Sequence, residues 1–415
     1  MIYRTKWAKN AFVSFIQYCR DFTLYYLPLP RLPGIALKML YGVNPQFIFL
    51  VHPRRSEDIF IALPFLSIVR RLFSKKIFLE IIKKLPPFVI ATIKTPIGIE
   101  GVVVSSLYLP EFLIKKRRIT LKESLRAINI ARKISMKNSI MGLGAWWPVV
   151  TRGGLAMRNM ASKSDIRVTN GHTGTLVSLY LMIKKIAKLG GLDLKRIKVA
   201  IIGAGKMGTN LGRVLAKEID FICIIDVNNM RLKKLSEELK KVNNELKVEA
   251  ILKNENICLS KILDKYHLCV CVTSNARRII KPEDIPANFI VIDDSRPEAI
   301  SRNDMEHDKI ILEGGLLKIK GVDMFYDYGF GMDENIFGCL GETYLLARDA
   351  GRKIEPTIGD VDINNFSNML KACQDYDIEV GDFKSQDVKV LSEDIARIIC
   401  RREESIGLHK YQKKK

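Results

Sequence analysis

Apolar residues in this chain gather in short, nearly continuous runs rather than in strict alternation with polar ones. "FIFLVH" (47–52), "GVVVSSLYL" (101–109), "VAII" (199–202), "DFICIIDVN" (220–228), "HLCVCVTSN" (267–275) and "NFIVIDDSRP" (288–297) are the clearest. Such runs predict strands buried on both faces, as in a parallel sheet covered by helices. Residues 121–134 and 173–191 carry helical spacing instead, and the second segment closes on a glycine pair. "MGLGAWWPVVTRGG" (141–154), rich in glycine and aromatic residues, reads as a loop. The start of the chain differs. Trp7, Ala11, Phe15, Cys19 and Phe22 recur at helical spacing, with Lys6, Lys9 and Arg20 between them, before the proline-rich "LPLPRLPG". That helix suits a membrane surface or the protein's own core equally well.

The strand at 199–202 runs into Gly203, Gly205 and Gly208, a G-x-G-x-x-G loop that opens a helix over 207–218. Gly203 permits the tight turn, Gly205 lets backbone approach a pyrophosphate, and Gly208 lets helix and strand pack closely. Ala204, Lys206 and Met207 complete the loop, whose helix N-terminus faces the phosphates. Asp226 ends the next strand, 18 residues after Gly208. It is placed to accept from an adenosine ribose diol and to repel a 2′-phosphate, which favours NADH over NADPH. Its plainer use is to cap the helix beginning near Asn228. Thr273 and Ser274 stop a later strand where such folds line the nicotinamide. The expected fold is therefore α/β, with a Rossmann-type doubly wound parallel sheet inserted between two parts of an α/β substrate-binding domain.

Bulk properties refine this. With 415 residues, two domains are expected, and 47% apolar residues exclude a disordered chain. The eight cysteines form no CxxC pair, which fits reduced thiols and predicts neither a disulfide framework nor a metal site. Net charge is +22, and residues 1–160 hold 26 Lys and Arg against 7 Asp and Glu. An anionic partner for that half is the natural inference. No apolar run is long enough for a membrane span, and Arg20 and Asp21 interrupt any secretory signal. A cytoplasmic protein is expected, with peripheral contact through residues 1–30 on the inner membrane face as its lipid option.

Two further motifs offer chemistry. "VTNGHTGTL" (168–176) sets Asn170, His172 and Thr173 at a helix start, where Asn or Thr can simply be the cap. "DENIFGCLGETYLLARDAG" (333–351) places Cys339 near the first turn of a helix starting close to Asn335, with Glu342 one turn on. A helix N-terminus favours a thiolate, while an inert buried cysteine is the bland reading.

In order, "LYLPEFLIKKRR", "MGLGAWWPVV", "TNGHTGT", "VAIIGAGKMG", "VIDDSRPEAI", "LEGGLL" and "CLGETYLLA" resemble the aldehyde-forming acyl-ACP reductases of cyanobacterial alkane biosynthesis. The resemblance spans roughly residues 47–385. It implies NAD(P)H-dependent reduction of an acyl thioester to a fatty aldehyde, with Cys339 as the acylated nucleophile. His172 and Glu342 then join the catalytic set. Asn170 and Thr173 position substrate; Trp146 and Trp147 suit a wall for the acyl chain or plain core equally well. The partners implied are acyl carrier protein or a coenzyme A thioester, and no nucleic acid. The family's longer glycine loop and its basic residue after the second strand suit NADPH, whereas this chain has G-x-G-x-x-G and Asp226. The expected divisions are an extension at 1–46, substrate domain at 47–165, nucleotide domain at 166–325, and a C-terminal part at 326–415 completing the substrate domain. Three rivals share the nucleotide core: a shikimate or amino-acid dehydrogenase without covalent catalysis, a glutamyl-tRNA reductase relative, and a non-catalytic membrane-associated NAD-binding protein.

Overall fold

The computed structural model describes residues 4–5, 11–53, 55–115, 117–255, 257–274, 280–295, 298–300, 308–324, 326–327, 333–349, 353–385 and 388–412. Two compact units divide the chain. One is Met1–Thr175 with Leu317–Glu379, and the other is Leu176–Leu316 with Val380–Lys415.

The first unit is built on strands β1 (Phe47–Val51), β2 (Phe88–Lys94), β3 (Gly101–Ser105), β4 (Ser139–Leu143) and β5 (Ile166–Thr169). Its sheet runs Asp323–Met324, β2, β3, β1, β4, β5. The last four strands are parallel, while β2 pairs antiparallel with β3 and with the edge segment. Every residue of β1, β3 and β4 is buried, as a sheet covered on both faces requires. The stretch expected as a loop from Met141 is thus a strand through Leu143, followed by a single helical turn at Trp147–Val150.

Helices α1 (Ala11–Tyr26), α2 (Phe65–Leu72), α3 (Lys75–Lys84) and α4 (Arg117–Ile134) belong to the same unit. The first 46 residues are not a detached extension. Tyr18 of α1 packs edge-on to Phe88, and Leu24, Leu37 and Tyr41 enter the core around β1 and β3. Buried Asp21 accepts from Tyr41 Oη at 2.7 Å and from Val89 N at 2.7 Å. Lys133 of α4 donates to the carbonyls of Leu24, Tyr25 and Leu27, satisfying the open end of α1. Trp7, Lys6 and Lys9 lie outside the described residues.

The boundary between the units falls within α5 (His172–Leu189). In the second unit β6 (Lys198–Ile202), α6 (Lys206–Leu215), β7 (Phe221–Asp226), α7 (Asn229–Val242), β8 (Lys247–Leu252), β9 (Leu268–Cys271), β10 (Phe289–Asp293) and β11 (Lys309–Glu313) follow. The sheet order is β8-β7-β6-β9-β10-β11, parallel throughout. The strand order reverses between β6 and β9, the switch point at which doubly wound sheets bind nucleotides.

Helix α8 (Gly338–Asp349) returns to the first unit, and α9 (Ser392–Gln412) joins the second. Residues after 379 therefore do not complete the substrate domain, contrary to the sequence expectation. The reason is the apolar stripe of α9, in which Ile395, Ile398, Ile399 and Ile406 are buried. Arg402 on the same face donates to the carbonyls of Tyr266 and Leu263 and pairs with Asp264 at 2.9 Å.

Candidate functional site

Two helix starts carry the residues of interest, one in each unit. In the nucleotide unit β6 ends at Ile202 and the chain turns at Gly203, whose φ of 110° favours glycine. A Cβ there would meet Val272 O at 3.0 Å and Thr273 Cγ2 at 3.2 Å, so the loop lies against the end of β9. A Cβ on Gly208 would overlap the Gly203 carbonyl oxygen. Gly205 is different, because among the described residues no atom beyond its own chain neighbours lies within 4 Å of where its Cβ would be. It leaves an opening at the start of α6, whose first residues are Lys206 and Met207.

Ala204 N donates to Asp226 Oδ2 at 2.6 Å, and Asn228 N donates to Asp226 Oδ1 at 2.8 Å. The carboxylate therefore ties the glycine loop to the end of β7. Asn228, not Asp226, caps α7 by accepting from Arg231 N at 3.1 Å. Thr273 bonds Ser295 Oγ through both its N–H, at 3.1 Å, and its hydroxyl, at 3.3 Å. Ser295 is oriented in turn by the buried Asp293, which also accepts from Ala299 N. Ser274 is exposed at the strand end. An open flank, a helix N-terminus and a half-exposed carboxylate fit a dinucleotide.

In the first unit the start of α5 is pressed onto the start of α8. Gly171 has φ +74°, and a Cβ there would overlap Cys339 Cβ and lie 2.6 Å from Cys339 Cα. A Cβ on Gly174 would overlap Gly338 O and lie 2.7 Å from Glu342 Cβ. Cys339 is the second residue of α8 and is half-buried. His172, next to Gly171, opens α5 and is also half-buried.

Buried groups lock this junction. Glu342 Oε2 accepts from Gly174 N at 2.8 Å, while Oε1 accepts from the Thr169 hydroxyl and from Thr357 N at 3.3 Å. Burial pushes the Glu342 carboxyl above its ordinary range, and these donors oppose that shift. Asn170 Oδ1 accepts from His172 N at 3.0 Å, and its Nδ2 donates to the carbonyls of Gly153 and Gly359. Thr173 Oγ1 lies 2.6 Å from Thr357 Oγ1.

The other thiols sit differently. Cys223 and Cys373 are buried, and desolvation pushes each up to about 12. The Cys269 hydrogen bond and burial raise Cys271. Cys258 is exposed and lowered by the Ser260 hydroxyl.

Residues 171–312 match the family model of the shikimate/quinate 5-dehydrogenases. The nucleotide-binding domain of glutamyl-tRNA reductase from Thermoplasma volcanium aligns at 14% identity, over 32% of this chain and 84% of that one, with a TM-score of 0.25. L-tryptophan dehydrogenase from Nostoc punctiforme aligns at 15% identity, over 88% and 90%, with a TM-score of 0.35. Shikimate 5-dehydrogenase from Thermus thermophilus, solved with NADP(H) and shikimate, aligns at 13% identity over 80% and 99%, with a TM-score of 0.33. No curated protein sequence matches the chain. The chain carries an oxidoreductase-type NAD(P)-binding Rossmann fold.

Several site residues change role within this NAD(P)-binding protein. Trp147 is fully buried, and its indole N–H donates to Val51 O at 3.2 Å, so it is core and not a substrate wall. Trp146 is half-buried, and its backbone N–H donates to His52 Nε2 at 3.0 Å. Glu342, expected as a catalytic group, has both oxygens engaged in a closed interior, where it bridges the starts of α5 and α8. The sequence reading missed Thr169, Gly171, Gly174, Thr357 and His52. The spacing of the two glycines in "TNGHTGT" was the available signal for two of them.

Proposed function

We propose that this protein reduces a long-chain acyl thioester to the aldehyde through an acyl-enzyme on Cys339. The observation that carries this reading is the junction of two helix starts at the thiol, held by Gly171, Gly174 and the fully engaged Glu342. The Cys339 thiolate adds to the thioester carbonyl, the bond to the carrier sulfur breaks and the carrier leaves as a thiolate that takes its proton from solvent, and the acyl group remains on Sγ. A bound nicotinamide supplies the hydride for the acyl carbon. His172 gives the resulting oxyanion its proton; on collapse of the hemithioacetal the hydroxyl returns that proton to His172 as the C–S bond breaks, which releases aldehyde and restores the Cys339 thiolate. The first turn of α8 offers backbone N–H groups that no intrahelical carbonyl can reach, suited to the developing oxyanion.

The test is incubation with palmitoyl-CoA or palmitoyl-acyl carrier protein, in a Cys258→Ser, Cys400→Ser background that removes the two exposed thiols. Intact mass should show one acyl adduct, lost in Cys339→Ala together with at least about a thousandfold of aldehyde release. An unchanged rate in Cys339→Ala would sink the covalent route. The match to the shikimate/quinate dehydrogenase model favours a second reading, a dehydrogenase without covalent catalysis. It predicts no adduct at all. Asp226 makes NADH the expected donor, and faster turnover with NADPH would remove Asp226 from that choice.

A further inference from the structure

Helix α1 is apolar on two sides. Ser14, Tyr18, Asp21 and Leu24 face inward, while Phe12, Phe15, Ile16, Phe22 and Tyr26 are exposed at helical spacing on the other side, with Phe12 at 68%. Phe15 meets Phe65 edge-on at 5.3 Å, which joins this stripe to α2. In α2 Leu66 points inward, whereas Ile68 and Leu72 are 56% and 73% exposed, and Phe73 extends the same row. In α3 Phe78 and Ile82 are buried while Ile77 is exposed. Residues 65–84 contain six Lys or Arg against Glu80 alone. Arg71, Lys75, Lys76 and Lys84 are exposed beside the apolar tips. No helix among the described residues is long and apolar enough to cross a membrane.

We propose that the outward face of α1, α2 and α3 docks on an anionic lipid bilayer, lying in its surface. Contiguous exposed apolar area of this kind marks an interaction site on a water-soluble surface. Aromatic and aliphatic tips interleaved with Lys and Arg match the headgroup–acyl boundary, where the tips sink and the cations meet lipid phosphates. An acidic protein would answer the charge, but it would also have to answer apolar tips spread over three helices. The inference is independent of the proposed reduction.

The full chain is floated with phosphatidylcholine vesicles, with and without phosphatidylglycerol, at low and high salt. Binding that requires phosphatidylglycerol and weakens with salt is expected. Arg71→Glu with Lys75→Glu and Lys76→Glu should weaken it at least about tenfold. Ile68→Ser with Leu72→Ser should weaken it at least about fivefold with an unchanged melting temperature, because both side chains already project into solvent. A Leu72→Trp variant keeps the test decisive if a multiple variant unfolds, since brominated lipid should quench its added emission. No flotation with either vesicle overturns the proposal, as does no quenching in Leu72→Trp. Capture of an acidic acyl carrier protein through these residues, without vesicle binding, also overturns it and assigns the face to that partner.

Discussion

The glycine loop and the cysteine junction are both helix starts approached closely by glycines, and the missing Cβ atoms do opposite work in them. At the loop, Gly205 leaves space that no atom of the described residues enters beyond its own chain neighbours. At the junction, the space beside Gly171 and Gly174 is filled by Cys339, Gly338 and Glu342. Gly205 leaves an opening beside a helix start, whereas Gly171 and Gly174 let two helices touch. Glycine near a helix start is thus ambiguous by itself, and only what faces it decides its use.

The sharpest test is a paired substitution. Gly171→Ala should cost about 3 kcal/mol or more in denaturant midpoint analysis, because it combines a left-handed backbone with overlap on a helix that cannot retreat. Gly205→Ala should leave stability within about 0.5 kcal/mol yet weaken dinucleotide binding at least about tenfold, read by fluorescence titration. Equal stability losses in the two variants would erase the distinction.

A smaller effect is expected from Glu342→Gln. One buried oxygen becomes a donor facing another donor, which should cost about 1–3 kcal/mol and lower the acylation rate of Cys339. Retained stability with normal acylation would show that the junction does not depend on this carboxylate.

The smallest effect tests the neighbouring end of β1. His52 Nε2 accepts from Trp146 N while Nδ1 donates to Pro53 O, so the ring is neutral, and burial lowers it to about 4. Its folded value lies below the unfolded 6.5. The stabilising contribution is present above pH 6.5 and is lost as pH falls toward 4. Melting temperature should therefore fall over that window less steeply in His52→Gln than in the parent chain.

How much of this was legible follows from where each signal lies. Strands β1, β3, β6 and β9 stand out as apolar runs and the G-x-G-x-x-G loop is wholly local, whereas the equally buried β4 does not, because Ser139 and Gly142 interrupt its run. By contrast β8 mixes exposed and half-buried residues with none buried, and its "KVEAIL" carries no such run. The lock on the junction was invisible for another reason. Glu342 meets Thr169 across 173 residues of sequence and Gly174 across 168, and no periodicity registers such pairs. Trp147 stayed ambiguous because a conspicuous aromatic beside glycines suits a ligand wall as well as a core, and only its full burial decides for the core. The lysine-rich "RRLFSKKIFLEIIKK" reads as a solvated stretch until α1 is laid beside it.

The discontinuity of both units bears on how the protein is made. The nucleotide-binding sheet is finished at Glu313, yet α9, which covers part of it through Arg402 and the isoleucine stripe, is not translated until some eighty residues later. The first unit likewise waits for α8 before Gly171 and Gly174 have anything to rest against. Neither half can close while the ribosome is still reading residues 317–379. A nascent chain stalled there would present two incompletely covered units at once, so translation past that point is the step at which chaperone demand should peak.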